Sequence, residues 1–130
     1  MPIASPMAAF NRTRGSCLAR DVRVAGTHWL RLRGLVGTKA AAFGAGQALW
    51  IVPCHGVHTL AMRFPLDLIY LDRHNVVIEL RETVPPWRFA PVHLHAASVL
   101  ELPSGVIGSS RTSIGDTVEI VTSLNEAEAA

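Results

Sequence analysis

Two cysteines in 130 residues, Cys17 and Cys54, are too few and too far apart to build a disulfide framework or a CxxC motif, and are expected as free thiols. Charge is scarce as well, at 17% of residues against 49% apolar ones, a balance that excludes an extended, disordered chain. No apolar run approaches a membrane span. The opening "MPIASPMAAFNRTRG" lacks the basic leader and apolar core of an export signal, so a cytoplasmic protein with no membrane span is expected. Also missing are GxSxG, HExxH, a Walker A loop and a Rossmann glycine fingerprint, which removes the usual support for the chemistries they carry.

What is present suits one globular domain with a single core. The net charge is +2, with seven of the twelve Lys and Arg in residues 1–40 beside one acid, Asp21. Those basic residues are scattered and lack interleaved aromatics, so no nucleic-acid partner is expected. Residues 1–15 read as a flexible leader, 16–123 as one β-rich domain and 124–130, "NEAEAA" with its flanking residue, as a flexible tail.

Within the domain, "CLARDVRVA" alternates near period two and predicts a strand. Thr27 then caps a short helix near 27–36, with Trp29, Leu32 and Val36 on one side and Gly37 ending it. Gly34 inside that helix implies close packing. Further strands are expected at "ALWIV", at 57–63 and 66–72 on either side of Phe64-Pro65, at "VVIELRETV", "ASVLELP" and "TVEIVT". Asp72 and Asn75 in "DRHN" mark a hairpin turn, and "SGVIGSSRTSIGD" a mixed helical and turn segment. The fold class that follows is mainly β (α+β): a small barrel or strongly curled, antiparallel-rich sheet of about seven strands with one short helix, since closure removes exposed edges.

The stretch "HTLAMRFPLDLIYLD" mixes ionisable and apolar residues in a way that neither a solvated nor a dry strand does. Asp67 has apolar neighbours on both faces. An unpaired buried carboxylate costs several kcal/mol, so it must pair with Arg63, hydrogen-bond to backbone, or stay protonated. Cys54, His55 and His58 in "CHGVH", with His93 and His95 in "HLH", lack the tight paired spacing of a zinc site, and neither a metal nor any other cofactor is expected. Glu101 in "LELPSG" reads as a strand-end acid beside a turn, and Asp116 in "IGD" as a turn residue bonding nearby backbone.

Taken in order, "RGLVG", "HTLAMRFPLDLIYLD", "VLELPSG" and "IGD" resemble domain-of-unknown-function family 192 across about residues 18–122. The resemblance implies a compact β-rich domain, mainly prokaryotic, with many exported relatives. It also implies that His58, Met62, Arg63, Pro65, Asp67 and Asp72 are motif residues, joined as structural positions by Gly34, Leu35, Glu101, Pro103, Gly105, Gly115 and Asp116. The expected function is a non-catalytic binding or accessory domain, with a cleft at His58, Met62, Arg63 and Asp67 taking a small anionic ligand or a protein segment. A hydrolase-like enzyme using His58 and Asp67, and a purely structural protein, are the alternatives.

Overall fold

The structure, a computed structural model, describes residues 7–25, 44–52, 65–85 and 93–122. Seven strands form one sheet in the order β5-β4-β6-β3-β2-β1-β7. They are β1 (Met7–Asn11), β2 (Ser16–Ala25), β3 (Gln47–Ile51), β4 (Leu66–Leu71), β5 (Val77–Val84), β6 (Ser98–Pro103) and β7 (Val118–Thr122), with one described helix, α1 (Val106–Ser110). The protein is therefore a mainly β, strongly curled sheet, a half-barrel with a short helix.

Neighbouring strands are antiparallel except β2 and β3, which pair in parallel from Asp21↔Gln47 to Ala25↔Ile51. A parallel pair needs a crossover of a dozen or more residues, and the connection 26–46 is long enough. The two edges meet at one end. Val76 bridges Thr117, the Val77 amide donates to the Asp116 carbonyl at 2.8 Å, and the Val118 amide donates to the Asn75 carbonyl at 2.9 Å. This contact removes part of the unpaired edge that an open sheet would expose.

Both faces of the middle of the sheet are buried. On β4 all six residues are buried, which is why its sequence reads as a nearly continuous apolar run instead of alternating. Leu66, Leu68 and Tyr70 face a cluster with Leu49, Ile51, Ala96 and Val99. Ile69 and Leu71 point the other way, packing with Leu100, Leu102, Ala48, residues of β1, β2 and β7, and Ile107 of α1. We call these the far face and the helix face.

The turn at 72–75 has the expected chemistry. Asp72 Oδ1 accepts the amides of His74 at 2.8 Å and Val76 at 3.0 Å, while Asn75 takes φ 61°, the left-handed conformation that Asn tolerates. Pro65 is exposed and stands just before β4, where its missing N–H breaks no ladder.

One expectation needs amendment. Residues 7–11, read as part of a loose leader, are a strand paired on both sides, with β2 and with β7. Alanine is a weak strand former, so "MAAFN" carried little local signal; Ala8 and Ala9 are fixed instead by close packing between neighbours. The helix near 27–36 and the strand over 57–63 lie outside the described residues, as do Gly34 and Leu35. The described helix falls in the segment expected to mix helix and turns.

Candidate functional site

Asp67 projects from β4 onto the helix face and is fully buried. Its Oδ1 accepts the Thr83 amide at 2.8 Å; its Oδ2 accepts the amides of Gly105 at 3.1 Å and Ile107 at 2.9 Å. Of the settings open to it from the sequence, the structure shows the backbone one. Three charge-assisted bonds to main-chain donors offset the cost of taking a carboxylate out of water. Gly105 precedes α1 with φ 100° and offers no side chain, so a carboxylate nearly forty residues away supplies the cap. Thr83, β-branched yet at φ 51°, is held in that strained conformation by the same carboxylate and by a 2.8 Å hydroxyl contact with Ser104.

A second polar cluster lies where β1 ends. Asn11, fully buried, donates from Nδ2 to Thr112 Oγ1 at 3.0 Å and to Asp116 Oδ2 at 2.9 Å, and its Oδ1 accepts the Arg14 amide at 3.0 Å. Asp116 Oδ2 also accepts the Ser113 amide at 2.9 Å and Arg14 Nε at 3.2 Å. Burial alone would raise the Asp116 carboxyl, but hydrogen bonds from Asn11, Ser113 and Arg14 outweigh it and hold the group below its ordinary range. Asp72 is likewise held low, first by the Val76 amide. Sequence reasoning missed Asn11, Thr112 and Arg14; an Asn inside an otherwise apolar run was the available signal.

Glu101 differs from both. Instead of a strand-end acid beside a turn, it is the fourth of six residues in β6, on the far face, and only 4% exposed. No hydrogen-bond or ion-pair partner for its carboxyl is present among the described residues, and burial raises that group to about 8. Across the sheet its register row reads Arg23, Leu49, Glu101, Leu68, Arg81. A leucine therefore stands between Glu101 and each exposed arginine, so the backbones of Arg23 and Arg81 lie two strand spacings, about 10 Å, from that of Glu101. On the opposite, helix face, Trp50 Nε1 and Ser98 Oγ are buried without a hydrogen-bond partner among the described residues.

The other expected positions separate. Gly105 and Gly115 both have positive φ, 100° and 97°, and Pro103 ends β6. His58, Met62 and Arg63 lie outside the described residues. His93 and His95 stand edge to face, 5.9 Å apart, and among the described residues no group of three or more His, Cys, Asp or Glu side chains could hold a metal ion.

The chain is thus a curled β-sheet protein whose acids at the PLD and IGD motifs are tied into backbone. Residues 9–120 match the model of domain-of-unknown-function family 192, described as an uncharacterised ACR, and the chain belongs to that family. It is 30% identical over 114 residues to a UPF0127 protein of Thermococcus sibiricus, covering 84% of this chain and 71% of that one. A UPF0127 protein of Pyrococcus furiosus is 29% identical over 114 residues, 84% of this chain and 94% of its own. The fold is similar to the crystal structure of a protein of unknown function from Novosphingobium aromaticivorans, with TM-score 0.74, 20% identity, and coverage of 88% of this chain and 83% of that one.

Proposed function

We propose that this chain is a non-catalytic binding or accessory domain, with its cleft where the HTLAMRFPLD motif enters β4 and a small anionic ligand or a protein segment as its occupant. His58, Met62 and Arg63 are the candidate contacts, and the Arg63 guanidinium supplies the charge-assisted bond to an anion. One observation carries the reading: the carboxylate of Asp67 is fully buried and engaged with three backbone amides. That arrangement gives the motif's acid to the frame, joining β4, β5 and the entry to α1, and takes Asp67 itself out of the role of base that a hydrolytic reading would give it. Asp67 thus serves the frame, and contact with the occupant falls to the other three motif residues.

We place the domain in the cytoplasm. Cys17 is an exposed free thiol, which suits a reducing compartment, and no described helix is long and apolar enough to cross a membrane.

Native mass spectrometry of the purified chain tests the reading. A bound mass of a small anion or peptide on the wild type, lost on Arg63→Ala and retained on Asp72→Asn, supports it. Turnover of an ester or phosphoester that disappears with His58→Ala would replace it with the enzymatic alternative.

A further inference from the structure

We propose that the end of the sheet formed by three neighbouring turns is a docking surface for a bilayer carrying anionic phospholipid headgroups, on which the domain sits reversibly without crossing it. The inference is independent of the motif cleft and rests on the residues at the tips of those turns.

Each turn has four residues and is closed by a backbone bond from its last amide to its first carbonyl. The Ala96 amide donates to His93 at 3.0 Å, the Asn75 amide to Asp72 at 3.0 Å and the Asp116 amide to Ser113 at 3.1 Å. The second positions of the three turns are Leu94, Arg73 and Ile114. Sheet pairing sets them side by side. The Ala97 amide donates to the Leu71 carbonyl, Leu71 is the register partner of Val77, and the Gly115 amide donates to the Val77 carbonyl. Leu94 and Ile114 therefore flank the turn that carries Arg73, on a front about three strand spacings, roughly 15 Å, wide.

Turn tips ordinarily go to Gly, Pro, Asn, Asp and Ser, whose backbone freedom or side-chain bonds make the bend. Leucine and isoleucine supply neither, and these two do not pack inward. Leu94 is 82% exposed and Ile114 63%, the highest values among the large apolar side chains described. The turn at 113–116 takes its shape from Gly115, at φ 97°, and needs nothing from Ile114.

The charges at this end have one outward sign. Arg73 and Arg111 are exposed, and so is Arg14, whose Nη2 lies 3.1 Å from Ser113 Oγ beside the third turn. The two acids of the turns are engaged with the chain: Asp116 is buried within its hydrogen bonds, and Asp72 Oδ1 accepts the amides of His74 and Val76.

Two apolar tips separated by a cationic one do not make the contiguous apolar centre of a protein–protein interface. A bilayer surface is fluid and takes separated side chains, each entering between headgroups while the guanidinium groups stay level with the phosphates. A nucleic acid would satisfy the arginines through its phosphates but leave both aliphatic tips in water.

Co-sedimentation of the full chain with vesicles tests the proposal, using phosphatidylcholine alone and phosphatidylcholine mixed with phosphatidylglycerol. Binding is expected on the mixed vesicles, with much less on the neutral ones and release at high salt. Leu94→Ser and Ile114→Ser should each lower the partition roughly fivefold or more, and Arg73→Gln about fivefold. Val24→Ser, at an exposed apolar residue within β2 and not on a turn, should leave it unchanged. All four positions are exposed, so urea midpoints should match the wild type and separate lost docking from lost folding. Absence of binding to the mixed vesicles, equal binding to both kinds, or a partition that Leu94→Ser and Ile114→Ser leave untouched each overturns the proposal.

Discussion

The carboxylate of Asp67 in β4 accepts the amide of Ile107, 2.9 Å away, and so caps a helix that begins some forty residues later in the chain. The same side chain accepts the amide of Thr83 on β5. One residue thereby fixes an edge strand, its inner neighbour and the helix that packs on the helix face. The polar atoms of a five-residue helix have few internal partners, so its order depends on such outside acceptors.

Asp67→Asn should accordingly cost far more than Asp72→Asn. Whichever way the new amide is turned, its NH2 group faces at least one main-chain N–H, so a donor meets a donor in a buried site. The expected loss is about 2–4 kcal/mol, from at least one unsatisfied buried donor and a lost charge-assisted bond. At Asp72 a single oxygen, Oδ1, accepts both amides, and an Asn oxygen can take its place. That change should cost about 1 kcal/mol or less. Equal urea midpoints for the two variants would remove Asp67 from its central place in the frame.

Much of this frame could be read from the sequence, because the strands from "CLARDVRVA" to "TVEIVT" carry local pattern, and because Asp72 and Asn75 have intrinsic turn chemistry. Asp67 could be flagged as needing a partner, but not given one: its donors come from residues 83, 105 and 107, brought close only by sheet pairing. The strand at Met7–Asn11 was hidden for a related reason. Its alanines have weak preferences, and its place between β2 and β7 is decided by residues up to 115 positions away. Glu101 looked like a turn acid because it sits two residues before Pro103; only the register with Leu49 and Leu68 shows it to be central.

The cluster around Asn11 predicts a charge-dependent variant. Asn11→Asp would keep the shape but replace the amide that donates to Asp116 Oδ2 with a second carboxyl. Two carboxyl groups at hydrogen-bond distance cannot both ionise cheaply, so the variant should be destabilised by about 2–3 kcal/mol at neutral pH. Lowering the pH to about 4–5 should restore part of the loss, since one shared proton recreates a donor. Thermal midpoints at the two pH values would show it; a loss independent of pH would mean that Asn11 matters only for its shape.

At Gly105 backbone conformation alone is at stake. A Cβ built there would meet nothing within 4 Å, yet φ is 100°, which L residues rarely adopt. Gly105→Ala should therefore destabilise by about 1–2 kcal/mol without any steric clash, and the loss should appear in chemical denaturation. An unchanged midpoint would show that the turn relaxes to another conformation while Asp67 keeps its remaining bonds.

The pH dependence of stability should carry the signature of Glu101. Its carboxyl lies near 4.5 in an unfolded chain and is raised to about 8 by burial in the folded one. Between those values the folded state binds more protons than the unfolded state, so stability is full below about pH 4.5 and falls as pH rises through 8. Asp116 and Asp72, held low, act in the opposite sense: their contribution is present above their unfolded values and is lost as pH falls through their folded ones. Glu101→Gln removes the first effect and leaves the second. The variant should match the wild type near pH 4.5 and become progressively more stable than it toward pH 8, by several kcal/mol at about 1.4 kcal/mol for each pH unit. If the variant is instead less stable than the wild type at pH 8, Glu101 is ionised and paired in the folded protein, and its raised carboxyl fails as the explanation.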